Sequence, residues 1–413
     1  MSASSIDADA LAAPRRGSMR GPVVYWWVIL LLLNYQFTPQ FTLGEPNAAE
    51  EIRLYHVFLP LFAIFTLGDL GSFSFRKEMN PALLFLVVDL ACNLYAYSRY
   101  GFVMSGIARI FFAGMCYYLG RSVALRLSYD ELGAHWRKFL GIYFVTVAGQ
   151  MLFRIAERGS FNLYAADQVF IAGGINAEAA WVGIQAMIFV GNGAFWAILF
   201  SIVASGIYGS RSGLMIGVFA AVSALYPIHR RKGFFRAWLM MALYFAAAAV
   251  AAIVLAGAGV TIIERISNIG AANDSSISRL ALWAAIPILF TQEPLGYGIG
   301  NIMSRVYDLW SGVDLPRINN PSNIYAALIL EGGIIAFVSY LWMMGSITWQ
   351  HFRTHRYRNL FLMIVAYWFT GLTGFYGYDP HFWVIMGLYF TYLRRGEPGA
   401  ATPPPLLPRP AAP

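Results

Sequence analysis

The residues best equipped for chemistry are a set of arginines, Arg154, Arg158, Arg211, Arg265, Arg279, Arg305 and Arg317, and four groups able to move a proton, Glu264, Glu331, Asp379 and His381. A guanidinium is always charged and carries a rigid fork of N–H donors that fits pairs of phosphate oxygens. A carboxylate or an imidazole can take the proton of a hydroxyl as that hydroxyl attacks. Aromatic residues stand among them, notably Trp283, Tyr297, Trp310 and Tyr325, and their rings could stack on a ligand or simply anchor at a membrane interface. For any single arginine the plainer role is an ion pair with Glu157, Glu264, Asp274 or Asp308, or contact with lipid headgroups.

The elements that must hold these residues are apolar. The chain of 413 residues is 58% hydrophobic and 12% charged, with a mean hydropathy of +0.57. Apolar runs recur along most of its length at the spacing of segments that each cross a hydrocarbon core, which takes ~20 residues per helix. They lie near residues 22 to 38, 54 to 70, 80 to 97, 102 to 119, 138 to 156, 175 to 191, 194 to 209, 211 to 227, 236 to 258, 323 to 346, 359 to 376 and 382 to 394. The expected fold is an all-α polytopic membrane protein with about 12 transmembrane helices and one large extracytoplasmic loop. Its parts are an N-terminal tail (1–21), a first set of spans (22–258), the large loop (259–322), a second set (323–394) and a Pro-rich tail (395–413).

Charge placement orients these segments. Splitting the apolar stretch 175 to 209 at Gly191-Asn192-Gly193 puts the basic run "HRRKGFFR" (229–236) on the same side as Arg76, Lys77, Arg121, Arg126, Arg137, Arg353 and Arg394. By the positive-inside rule that side is cytoplasmic, with both termini. The net charge of +8 is then topological and calls for no nucleic-acid partner. Cys92 and Cys116 both fall within spans and support neither a disulfide framework nor a zinc site.

Arg211, in "GSRSG", sits between two spans with almost no loop, which fixes it at the outer boundary. The large loop contains "SSISRLALWAAIPILF" (275–290), a short amphipathic helix by its period, followed by the glycine-rich "GYGIGN" (296–301), read as a turn before a ligand loop. Asp89 and Arg109 lie at similar depth on either side of a shared hairpin and are expected to pair. Glu331 lies ~12 Å below the outer surface by helical rise, beside Gly332 and Gly333, which allow close helix packing.

In this order, "GSRSGLMIG" (209–217), "SRLALWAAIPILFTQEPLGYGIGN" (278–301) and "SNIYAALILEGGIIAFV" (322–338) resemble the O-antigen ligase and polymerase family of the Wzy/WaaL type. The likeness covers about residues 175 to 346 and is nearest to the exopolysaccharide repeat-unit polymerases. It implies a metal-independent, GT-C-like membrane glycosyltransferase, without cofactor, acting on undecaprenyl-diphosphate-linked oligosaccharides. Arg211, Arg279 and Arg265 would hold the diphosphate; Asn323, Tyr325, Trp283 and Tyr297 would meet the glycan; Glu331, His381 and Asp379 would be the catalytic candidates. The lipid bilayer is an obligatory partner, and a flippase and a chain-length co-polymerase are the proteins such an enzyme works beside. Lipopolysaccharide ligases of the family carry His where this chain has Ser322, so the resemblance favours a polymerase over a ligase, while the sequence shows none of the internal repeats expected of a transporter.

Overall fold

The computed structural model describes residues 20–34, 41–43, 50–52, 54–66, 79–159, 175–189, 195–232, 274–311, 323–372 and 378–396, with a few isolated positions between them. The described chain is helical. Its elements are α1 (Arg20–Asn34), α2 (Leu54–Phe65), α3 (Pro81–Tyr100), α4 (Met104–Arg126), α5 (Tyr129–Arg158), α6 (Ile175–Ala186), α7 (Phe195–Ile207) and α8 (Arg211–Lys232). There follow α9 (Asp274–Gln292), α10 (Ile302–Leu309), α11 (Ile324–Glu331), α12 (Gly333–Thr354), α13 (Arg358–Gly371) and α14 (Pro380–Arg395). A small antiparallel ribbon, β1 (Phe41–Leu43) with β2 (Glu50–Ile52), is an addition that hydropathy does not foretell. Most of the segment 236–258, the loop residues Glu264 and Arg265, Arg317, Ser322 and the Pro-rich tail lie outside the described residues.

Local chemistry sets where the helices begin. Asn80 accepts from the backbone N–H of Ala82 and Leu83, with Pro81 in the first turn of α3. Ser128 and Glu131 form a reciprocal capping box at the start of α5. At the opposite end, arginines close helix termini and turns by donating to backbone carbonyls: Arg358 to Ser223 at 2.9 Å, Arg356 to Gly396 at 3.0 Å and Arg395 to Leu127 at 3.3 Å. These arginines are held as well as topologically placed.

Large apolar side chains stand exposed on the outer faces of the helices as well as packed inside. Val145 is 73% exposed and Phe111 62%, both on helix faces that a soluble protein would cover or make polar. Among the described residues α3 and α5 are long and apolar enough to cross a membrane, and α1, α7 and part of α8 are shorter apolar helices. The interior is stacked aromatic and aliphatic side chains, with Trp26, Trp136, Tyr143, Tyr340 and Trp383 fully covered. α4 and α14 cross with their backbones in close approach. There a Cβ on Gly120 would strike the Val384 carbonyl, and one on Gly387 would strike that of Tyr117.

Two expectations are corrected. The stretch 323 to 346 is two helices, α11 and α12, because Gly333 adopts φ +71 and interrupts the run. Asp89 does not pair with Arg109: its carboxylate accepts from Asn93 Nδ2 at 3.1 Å and from the Tyr378 hydroxyl, while Arg109 is exposed. Helical rise gives the depth of a residue and leaves open its direction around the axis, and here the two directions differ.

Candidate functional site

The ionisable residues gather in two places. The first lies where the N-termini of α6, α8, α11 and α14 meet the C-terminus of α13. Arg211 opens α8 four residues after α7 ends at Ile207. Ser210 caps this start, its Oγ accepting from Gly213 N at 3.2 Å. Gly213 in turn lets α8 close on α6, since a Cβ there would meet that of Ala179 at 2.7 Å. The Arg211 side chain is half-buried, and among the described residues no ion pair or hydrogen bond engages it. A guanidinium beside the positive end of a helix is well placed to receive an anion.

Against the same helix α6 stands a second group. Asp379 precedes Pro380 and caps α14, its Oδ1 accepting from His381 N at 2.9 Å and Phe382 N at 3.4 Å. That oxygen also faces His381 Nδ1 at 3.1 Å and accepts from the Tyr367 hydroxyl at 3.2 Å. Burial pushes the Asp379 carboxyl upward, but the neighbouring His381 and the N–H donors outweigh it, and the group is held below the usual carboxylate range. The imidazole leans on the indole of Trp181, ring centroids 3.9 Å apart, and its Nε2 is buried with no partner among the described residues.

Polar side chains continue from Trp181 into the bundle. Trp181 Nε1 and Gln185 Nε2 both donate to Asn34 Oδ1, the latter at 2.6 Å, and Trp136 Nε1 donates to Gln185 Oε1 at 3.3 Å. Glu178, wholly covered, accepts from the Tyr143 hydroxyl. Sequence reading missed this seam. Its signal is present in "EAAWVGIQ" (178–185), where Glu178, Trp181 and Gln185 recur at helical spacing inside an apolar stretch.

Asn323 and Tyr325 border this region but are engaged in holding α11 to α13. Asn323 Oδ1 accepts from Tyr325 N at 2.8 Å and Ala326 N at 3.0 Å, and its Nδ2 donates to Leu372 O at 3.2 Å. The Tyr325 hydroxyl donates to Trp368 O at 3.1 Å.

The second place surrounds Glu331. The segment 294–300 lies along the break between α11 and α12 and pairs with it through the backbone: Tyr297 N to Leu330 O at 2.9 Å, Gly298 N to Glu331 O at 2.8 Å, and Ile334 N to Pro294 O at 2.9 Å. Such close contact needs glycine at Gly298, which has φ +86 and would press a Cβ into the Tyr97 ring. Glu331 Oε1 accepts from Gly300 N at 3.3 Å, and Asn93 Oδ1 accepts from Ile299 N at 2.7 Å. The glycine-rich segment is therefore a turn packed into a helix break, and its amides are occupied by the protein itself.

The remaining predicted residues are scattered. Tyr297 is buried under the Arg305 guanidinium, its hydroxyl donating to Leu289 O at 3.1 Å, whereas Trp283 is 52% exposed on α9. Arg279 is carried by α9, and Arg265 lies outside the described residues. Of the plainer pairings, Arg154 does meet Glu157 one turn away.

The described helices carry apolar side chains inside the bundle and on its outer faces, as in a membrane protein, and a cation and a carboxylate–imidazole pair stand against α6. Residues 193–341, from α7 into α12, match a family model described as O-Antigen ligase. Over that stretch the chain is similar to the O-antigen ligase family, which supports a glycosyltransferase-like activity. The match contains Arg211, Arg265, Arg279, Asn323, Tyr325 and Glu331, while Asp379 and His381 lie beyond it. No curated protein matches the chain.

Proposed function

We propose that this chain is a polymerase that joins undecaprenyl-diphosphate-linked oligosaccharide repeat units into exopolysaccharide or O-antigen. The reaction takes place at the periplasmic face of the bacterial inner membrane, with about 12 spans and both termini in the cytoplasm. The observation that carries this reading is Arg211, an arginine that no ion pair or hydrogen bond engages among the described residues, at a helix start inside the matched stretch. In the reaction a growing glycan leaves its lipid diphosphate and is joined to the sugar of a second lipid-linked unit. Arg211, with Arg279 and Arg265 from the large loop, would stabilise the charge that develops on the departing diphosphate. The bond to that diphosphate supplies the driving force.

Ser322, which stands where ligases of the family carry His, favours a polymerase over a ligase that passes the glycan to another acceptor. A flippase delivering the substrate and a co-polymerase setting chain length are the partners this role requires. Deleting the gene in its own host and examining its glycans tests the reading. Lipid-linked single repeats should accumulate while polymer is lost. Polymer still made but retained on its lipid carrier would make the chain a ligase, and unchanged glycans would overturn both.

A further inference from the structure

We infer that His381 is the general base of this site, held by Asp379 and backed by Trp181. The inference rests on the glycan-transfer reading above and separates groups that sequence alone leaves equivalent. Attack by a sugar hydroxyl requires an acceptor for its proton within hydrogen-bond reach. Among the described candidates Glu331 accepts from Gly300 N and sits behind the segment that fills the helix break. Asp379 Oδ1 already receives two backbone N–H groups and the Tyr367 hydroxyl and faces His381 Nδ1. His381 Nε2 alone is a buried nitrogen with no partner, on a side chain that keeps 15% of its surface exposed.

The surroundings fit a base more closely than a packing residue. Asp379 facing Nδ1 fixes a tautomer with the proton on Nδ1 and the lone pair on Nε2. When Nε2 takes a proton, the imidazolium has the Asp379 carboxylate at Nδ1 and the Trp181 ring beside it, tilted, with ring centroids 3.9 Å apart. A buried nitrogen left unpaired is unfavourable in the resting protein, and an incoming hydroxyl relieves it. Arg211 and Trp181 approach from the two helices that pack through Gly213 and Ala179, so cation and base share one end of the bundle.

The step balances without a further reactant. The acceptor O–H proton passes to His381 Nε2 as its oxygen forms a bond to the anomeric carbon of the growing glycan. The bond from that carbon to the diphosphate oxygen breaks, and its electron pair leaves with the lipid diphosphate. The imidazolium then releases its proton to water or to the departing diphosphate. The titratable groups facing the pair are Asp379 itself, the Tyr367 hydroxyl of α13 and, from α4, the Cys116 thiol that feels the Asp379 charge.

The test uses the full-length protein reconstituted in liposomes, with lipid-linked oligosaccharides extracted from the gene-deletion strain as donor and acceptor. His381→Ala is expected to lose roughly 100-fold or more in rate while keeping wild-type yield and elution on size exclusion. Added imidazole should restore part of that rate in His381→Ala and leave the wild type unchanged. Asp379→Asn should shift the alkaline-rising limb of the rate–pH profile, a change that loss of packing alone would not produce. Folded His381→Ala with wild-type rate overturns the assignment. So does a folded, inactive variant that imidazole does not rescue, if Asp379→Asn keeps the wild-type pH profile. Should His381→Ala fail to fold, the Asp379→Asn profile decides alone. A wild-type protein that makes no product from these lipids counts against the glycan-transfer reading and not against the choice of base.

Discussion

The two polar regions of this bundle differ in whether their polar atoms are already satisfied. Around Glu331 and Asp89, glycine turns, Asn93, Tyr97 and Tyr378 occupy one another, and even the backbone of the helix break is paired with the segment 294–300. Around His381 and Arg211 the supporting groups are just as specific, yet among the described residues the His381 Nε2, the Glu178 Oε2 and the Arg211 guanidinium have no hydrogen-bond partner. Burying a charged group in a membrane costs roughly 2.5 to 3.5 kcal/mol near mid-span, so burial alone does not mark a site. What separates the regions is unused hydrogen-bonding capacity. The first reads as a joint between helices, the second as a place where something else binds.

Substitutions can break this comparison or make it sharper. The largest effect is expected from Arg211→Ala, which should lower the rate at least ~100-fold with normal protein yield, as removal of one charge-stabilising donor does. Near-normal rates of the folded variant would leave the region around Arg211 without its proposed role. Gly333→Ala should act the other way, on the fold: it forces a side chain into φ +71 and into the Leu295 backbone. A strained backbone of this kind costs on the order of 1–3 kcal/mol, read as a lower melting temperature and a lower yield. A Gly333→Ala protein as stable as the wild type would mean that the break is not a joint.

Glu331→Gln keeps an oxygen for the Gly300 amide, and its rate is expected to stay within about threefold of wild type, since a neutral acceptor can replace the carboxylate here. A hundredfold loss in the folded variant would return Glu331 to the catalytic candidates. Acid provides a further contrast. Because Asp379 is held below the usual carboxylate range, its stabilising contribution is complete above the ordinary Asp pKa and is lost as pH falls through the depressed value. Asp379→Asn should flatten that acid-side decline in thermal stability, and an unchanged slope would contradict the observed cap. The smallest effect belongs to Tyr325→Phe, which removes the bond to Trp368 O and should cost about 0.5–1.5 kcal/mol of stability with little change in rate. A large loss of rate would place Tyr325 on the substrate.

What could be read from the sequence follows from what the bilayer imposes. A crossing helix must be apolar along its length, so most helices were visible as hydropathy runs, and Arg211 stood out as a cation squeezed between two of them. The basic run 229–236 argues for a split at Gly191, and α6 ends before that position and α7 begins after it. Facing and pairing were not visible. Asp89 and Arg109 have matching depths but turn different ways, and only packing against α12 and the segment 294–300 sets the direction of Asp89. Likewise "EGG" signals flexibility without saying whether the helix packs or breaks, and the partner that breaks it lies in a distant loop. His381 was legible as an outer-end candidate, but Trp181 is about two hundred residues away and its contact belongs to the tertiary fold.

The central claim is that this chain transfers glycan between lipid diphosphates through an anion-binding arginine. Its most direct test is conversion of isolated lipid-linked oligosaccharide by the purified protein in liposomes, with the products resolved by length and the wild type set beside Arg211→Ala. The account predicts a ladder of longer lipid-linked glycans from the wild type and single units only from the folded variant. Single units from both, or equal ladders from both, would contradict it.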